Sequence, residues 1–130
     1  MIVVDSSVWI GRLRGRDTVA VRKLERFNDE DEMLLLGDLV LMELLMGAPD
    51  EAAAVRLREA LQPFPVVKMM DREIAESAAR NYRTLRRFGK TIRGLVALVI
   101  GTYCIVHDLP LLHDDRDFEA MRRHLGLRVV

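Results

Sequence analysis

Ile2-Val3-Val4-Asp5-Ser6-Ser7-Val8-Trp9-Ile10 decides how the rest of the chain is read. Three β-branched residues in succession form a short strand suited to burial on both faces. Asp5 stands at its exit. Ser6 and Ser7 follow as helix-cap candidates, and Val8-Trp9-Ile10 opens an apolar helical stripe. A buried strand running directly into a helix is the first half of a βαβ unit.

The same alternation repeats outward from this segment. Thr18 to Phe27 reads as an amphipathic helix with Val21, Leu24 and Phe27 on one side. Met33-Leu34-Leu35-Leu36 is a second strand, and Asp38 can cap a helix that runs to Met46 and stops at Gly47 and Pro49. Asp50 to Leu61 is helical, Pro63 and Pro65 interrupt the chain, and Val66-Val67 is a third strand. Asp71 to Phe88 is a long polar-faced helix ended by Gly89. Thr91 to His107 is apolar nearly all round, which places that helix in the core. Leu109 to Leu112 is a fourth strand, Asp115 to His124 a short helix, and Leu127 to Val130 a closing strand. Strands alternating with helices give an α/β fold with a central, mostly parallel sheet of four to five strands and helices on both faces. No linker, repeat or low-complexity stretch divides the 130 residues, so residues 1–130 form one domain.

Composition narrows the function. Hydrophobic residues make up 50% of the chain, too many for a disordered one. Lys and Arg number 20 and Asp and Glu number 20, so any attraction to a polyanion must come from a local patch. Cys104 is the single cysteine, which rules out an internal disulfide and favours a reducing, cytoplasmic setting. The start has no basic segment and is not read as a signal peptide. The longest apolar run, Gly94 to Val106, is 13 residues, short of the roughly 20 that a membrane span needs.

In a sheet of this kind ligands bind beyond the carboxyl ends of the strands. Asp5 follows the first strand; Asp114, Asp115 and Asp117 follow the fourth. Each alone is explained by helix capping or a solvated turn. Glu43 is harder to explain away, since it lies among Leu39, Val40, Leu41, Met42, Leu44 and Leu45. Carboxylates gathered at one sheet edge repel each other unless a cation compensates them. No Lys or Arg lies beside Asp5 or Glu43 in sequence, and His107, His113 and His124 form no ligand pattern. His107 and His124 read as helix-end residues. An all-oxygen set suits Mg²⁺ or Mn²⁺ rather than zinc. Such a metal is common equipment for hydrolysing a phosphodiester. On the substrate side, Arg80, Arg83, Arg86, Arg87, Lys90 and Arg93 occur without an acid among them. They form either a solvated helix face or a track for a phosphate backbone, with Arg86, Arg87, Lys90 and Arg93 as the candidates to hold it.

Four motifs in order now resemble the PIN-domain ribonucleases, and most closely the VapC toxins of bacterial toxin–antitoxin pairs. They are Ile2-Val3-Val4-Asp5-Ser6-Ser7, Leu41-Met42-Glu43-Leu44-Leu45-Met46-Gly47, Gly89-Lys90-Thr91-Ile92-Arg93 and Leu111-Leu112-His113-Asp114-Asp115-Arg116-Asp117-Phe118. The resemblance spans essentially the whole chain. It implies a three-layer α/β/α sandwich, Mg²⁺ or Mn²⁺, endonucleolytic cleavage of RNA, a cognate antitoxin that occludes the site, and a toxin homodimer. Carried over residue by residue, Asp5 and Glu43 match the first and second metal-binding acids. Asp115 matches the fourth and Asp117 an auxiliary one, so Asp5, Glu43 and Asp115 are the expected metal ligands. Asp117 competes as the cap of the last helix.

The third acid of the family is absent. Its position, four residues after Arg93, holds Ala97, and helical periodicity would set Ala97 one turn beyond Arg93. The departure is either an Asp→Ala change introduced to silence a toxin or a natural degeneracy. It predicts impaired activity and keeps a catalytically inactive RNA- or protein-binding module as the alternative. Phosphoryl-transfer enzymes of similar topology want an acid two residues after the first, where this chain has Ser7. A groove for the antitoxin is expected from Trp9, Ile10 and Leu13 together with Leu39, Met42, Leu45 and Met46. Trp9 and Met46 should be partly exposed, and the partner should be an amphipathic helix that points an Arg or Lys at the acids.

Overall fold

The computed structural model describes residues 1–130. Strands β1 (Ile2–Val4), β2 (Leu34–Gly37), β3 (Val66–Val67) and β4 (Leu111–Leu112) alternate with seven helices. These are α1 (Ser6–Leu13), α2 (Val19–Asp29), α3 (Asp38–Met46), α4 (Glu51–Leu61), α5 (Arg72–Arg87), α6 (Leu95–Val106) and α7 (Asp117–Leu125). The sheet order is β3-β2-β1-β4, and every pairing is parallel. The chain grows outward from β1 to β3, then α5 and α6 return it so that β4 lies on the free side of β1. Right-handed crossovers in opposite directions put helices on opposite faces. Accordingly α1 packs on α2 and α3, while α5 packs on α6 and both contact α7.

All of β1 and β2 is buried, as strands covered on both faces must be. A single cluster of 28 buried residues runs through the molecule, from Ile2, Val3 and Val4 to Phe118, Met121 and Leu127. Close approach is built in at Gly101, where an added Cβ would collide with the fully buried Met121, so α6 and α7 nearly touch. No helix is long and apolar enough to cross a membrane.

Two expected elements differ. The α6 helix begins at Leu95 rather than Thr91, because Gly89 (φ 72°) ends α5 in a left-handed turn. The Lys90 N–H then donates to the Leu85 carbonyl and the Gly89 N–H to the Arg86 carbonyl, a Schellman closure. Residues 90–94 leave that turn without regular secondary structure, with Ile92 buried among them. Arg93 is therefore outside the helix, and periodicity does not relate it to Ala97. The closing strand reduces to one parallel bridge between Leu111 and Val129.

Candidate functional site

The direction of sheet growth reverses between β1 and β4, and the crevice beyond their carboxyl ends is where such a sheet takes its ligand. Asp5 leaves β1 into this crevice as the N-cap of α1 and is only 4% exposed. Its Oδ2 accepts from the Ser7 N–H at 3.0 Å and from the Ser7 hydroxyl at 2.6 Å. Capping and placement in the crevice are thus one geometry. Burial pushes the Asp5 carboxyl above the usual range; the Ser7 donors oppose this and the charge of Asp115 adds to it.

Glu43 arrives from α3, which starts at the end of β2. The Ser6 hydroxyl donates to its Oε1 at 3.0 Å. Burial also raises this carboxyl, the Ser6 donor opposes, and Asp5 and Asp115 raise it further. The charge of Asp115 thus reaches both Asp5 and Glu43. No Lys or Arg forms an ion pair with any of them or with Asp117.

Beyond β4, Asp115 rather than Asp117 starts the last helix. Its Oδ1 accepts from the Asp117 N–H at 2.9 Å, while Arg116 occupies the cap position without a side-chain bond. The Asp117 carboxylate takes no part in that cap and lines a groove with Lys90, Thr91 and Arg123. A Cβ on Gly94 would sit 3.7 Å from the Ala97 Cβ and 3.8 Å from the Asp117 Oδ2, so Ala97 and Asp117 flank one spot at the start of α6. No three His, Cys, Asp or Glu side chains are grouped to hold a metal ion. The donor set fits an Mg²⁺-class ion in kind, being all hard oxygen with uncompensated charge. It is short in number, and Ala97 supplies no oxygen.

Three site residues had no clear sequence signal. Ser6 and Ser7 resemble ordinary helix caps, yet each holds one of the acids. The Ser7 hydroxyl also accepts from the Asp114 N–H at 3.0 Å, tying the end of β1 to the loop after β4. His113, the third, accepts from the Asp115 N–H at Nδ1 (3.1 Å), which requires an unprotonated Nδ1. Burial holds its pKa below the ordinary imidazole value against the pull of the nearby acids, so His113 does not neutralise them. Its buried Nε2 has no partner. Burial pushes the Cys104 thiol up to about 12, which removes it as a nucleophile at neutral pH.

Ser7→Ala is expected to lower stability by about 1 kcal/mol, the net worth of a lost hydrogen bond. It should also move the Asp5 carboxyl still higher, because the lost hydroxyl lowers that pKa. Thermal unfolding and a carboxyl NMR titration check both effects, and Ser7→Thr should restore them.

The basic candidates are spread out. Arg86 and Arg87 lie in the last turn of α5, and Arg93 is exposed before α6. Lys90 lines a groove with Arg116, Asp117 and Arg123. The apolar groove candidates divide. Trp9 is 1% exposed and its ring packs edge-on against Phe64 at 4.7 Å, so it belongs to the core and the expectation of exposure is corrected. Ile10 and Leu13 line a cavity of about 410 Å³ with Glu43, Gly47 and Leu57. Met42, Leu45 and the exposed Met46 form a separate shallow patch on α3, while the half-buried Leu39 packs against the core.

A family model described as the PIN domain matches residues 2–124. Among curated proteins, VapC ribonuclease Mb1587 of Mycobacterium bovis is 28% identical over 131 aligned residues, covering 100% of this chain and 98% of the relative. Ribonuclease VapC11 of Mycobacterium tuberculosis matches with the same identity and coverage. The fold is also that of VapBC2 from Rickettsia felis, solved bound to a promoter DNA fragment, with TM-score 0.79 and 16% identity over 100% of this chain and 98% of that one. FitAcB from Neisseria gonorrhoeae gives TM-score 0.76 and 22% identity over 99% and 96%.

Proposed function

Since this chain belongs to the PIN-domain family, we propose that it is a VapC-type toxin, the ribonuclease half of a type II toxin–antitoxin pair, with a divalent-metal site one acid short of complete. One observation supports this most: at the sheet's switch point, burial and neighbouring carboxylates, Asp115 among them, raise the pKa of Asp5 and Glu43, and no Lys or Arg pairs with any of the three. Such an arrangement is unfavourable in itself and is explained by a bound cation. The names of the curated relatives point the same way.

In this reading Asp5, Glu43 and Asp115 hold Mg²⁺ or Mn²⁺, and Asp117 and position 97 complete the rim. The ion, when bound, supplies an acidified water and neutralises charge on the phosphate. Ser6 and Ser7 keep the Glu43 and Asp5 carboxylates oriented. His113 fixes the loop that carries Asp115, and the switch-point crevice admits the phosphodiester. The alternative of an inactive RNA- or protein-binding module draws on Ala97 and on the lack of a three-acid cluster. Incubating RNA with the unaltered chain and with an Ala97→Asp variant, in Mg²⁺ and in EDTA, separates the two readings: a module cleaves in neither form.

Arg86, Arg87, Lys90 and Arg93 are proposed to hold the RNA backbone. The Lys90→Ala, Arg93→Ala double variant should weaken binding for every sequence. It should also flatten the salt slope by about 0.7 per lost contact on single strands. Binding isotherms at several salt concentrations check this.

The antitoxin is proposed to lay an amphipathic helix over Ile10, Leu13 and Leu57, where Glu43 can receive its Arg or Lys. The similarity in fold to the solved VapBC2 of Rickettsia felis and VapBC-1 of Haemophilus influenzae supports a partner of that kind. The apolar face between α5 and α6, with Met70 40% and Leu95 73% exposed, suits a toxin homodimer.

A further inference from the structure

Phe88 ends α5 with 55% of its surface exposed. It is not loose: its ring stacks on His124 with centroids 4.3 Å apart and an interplanar angle of 15°. A ring held flat by a second ring, with its other side toward solvent, is a platform rather than a core contact.

The platform adjoins a cationic groove along both of its chain segments. Lys90 lies two residues after Phe88, and Arg123 immediately precedes His124. Both line a cavity of about 310 Å³ that also takes in Thr91, Arg116, Asp117 and Glu119. Lys90 and Arg116 make no ion pair, and Arg123 has only a long contact of 3.7 Å to Glu119, which is held more closely by Arg122. Arg116 stands at the cap position of α7 without a side-chain bond. A cation is unfavourable at that positive end of a helix. A residue that breaks a local rule without local compensation points to function. The Asp117 N–H donates to the Asp115 carboxylate, so one wall of the groove is tied to the loop that carries Asp115.

We propose that this groove seats a single-stranded RNA segment, with phosphates on Lys90, Arg116 and Arg123 and one base stacked on the free face of Phe88. The inference rests on the ribonuclease reading and adds the direction from which the strand approaches. Single strands are held by this combination of a cationic track and an exposed aromatic face. A docked protein would want apolar walls, whereas the groove has only Ile92 and Ala120.

The test is fluorescence anisotropy of the full chain with a labelled oligoribonucleotide of about ten nucleotides, within the usual site size, in EDTA so that nothing is cleaved. Phe88→Ala is expected to weaken binding about tenfold, the scale of one base stack, and Phe88→Tyr to retain it. One abasic position in the oligonucleotide should cause a similar loss with the unaltered protein. That loss should vanish in Phe88→Ala. The Lys90→Ala, Arg116→Ala pair should lower the salt slope by about 1.4. If the unaltered chain binds the RNA but neither Phe88→Ala nor any abasic position changes the affinity, the platform is refuted while the ribonuclease reading stands. If the unaltered chain binds no RNA even at low salt, both fail.

Discussion

Ala97→Asp is expected to raise metal-dependent RNA cleavage by at least about 100-fold, because even an outer-shell partner of a metal ligand is worth about 10–100-fold. The geometry favours the change. Ala97 is the third residue of α6, whose cap, Gly94, provides no side-chain hydrogen bond. A carboxylate in the first turn of a helix is favoured by about 0.3–1 kcal/mol. The position is half-buried at the edge of the core and, across Gly94, lies beside the Asp117 carboxylate. The helix should therefore accept it, while a second carboxylate beside Asp117 adds repulsion until a cation arrives. Expression of the variant without an antitoxin should be toxic. Added Mg²⁺ should raise its melting temperature more than it raises that of the unaltered chain, by mass action on the folded state. An Ala97→Asn variant, of similar size but uncharged, should gain far less.

Asp5→Asn, made in the Ala97→Asp background, is expected to remove that activity again by at least about 100-fold. In the metal-free protein it should act in the opposite sense on stability. The folded pKa of Asp5 is raised above its unfolded value, chiefly by burial. The folded state then holds its proton more tightly than the unfolded state does. Stability from this group is present at pH values below the unfolded carboxylate pKa of about 3.9. It declines as pH rises through the folded value, and the deficit persists at neutral pH. Asparagine can still cap α1, since it accepts a hydrogen bond as aspartate does. Asp5→Asn should therefore be more stable than its parent at pH 7 in EDTA, and the gap should narrow on acidification. Thermal unfolding from pH 4 to 7 measures this directly. A parent less stable at pH 5 than at pH 7, with no gain in the variant, would show that the burial of Asp5 carries no such penalty.

Much of this architecture was legible because local pattern and global fold agree. Ile2-Val3-Val4 and Leu34-Leu35-Leu36 have no polar residue to place on a solvent face, so both faces had to be covered and the strands had to be central and parallel. Asp5 was legible because a buried strand gives its exit residue only two destinations, the cap or the crevice, and the structure unites them. What failed was tertiary. The non-helical path of residues 90–94 depends on the left-handed turn at Gly89 and on where Ile92 finds burial, which helical periodicity does not encode. Trp9 shares an apolar stripe with Ile10 and Leu13, but Phe64, fifty-five positions away, decides which of them is core. Ser6 and Ser7 carried a signal compatible with capping alone; their bonds to Glu43 and Asp114 span the chain. The role of His113 depends on its Nδ1, which no spacing rule reveals. The Phe88–His124 stack joins α5 to α7 and has no sequence signature.

The proposal that Asp5, Glu43 and Asp115 hold a divalent ion is tested most directly by Mn²⁺ titration followed by electron paramagnetic resonance. It would compare the unaltered chain, Ala97→Asp, and Ala97→Asp with Asp5→Asn. The account predicts one weak site in the unaltered chain, the same site tightened about 10–100-fold in Ala97→Asp, and its loss when Asp5 is also replaced. Mn²⁺ binding that is no tighter in Ala97→Asp, or that survives Asp5→Asn, would contradict it.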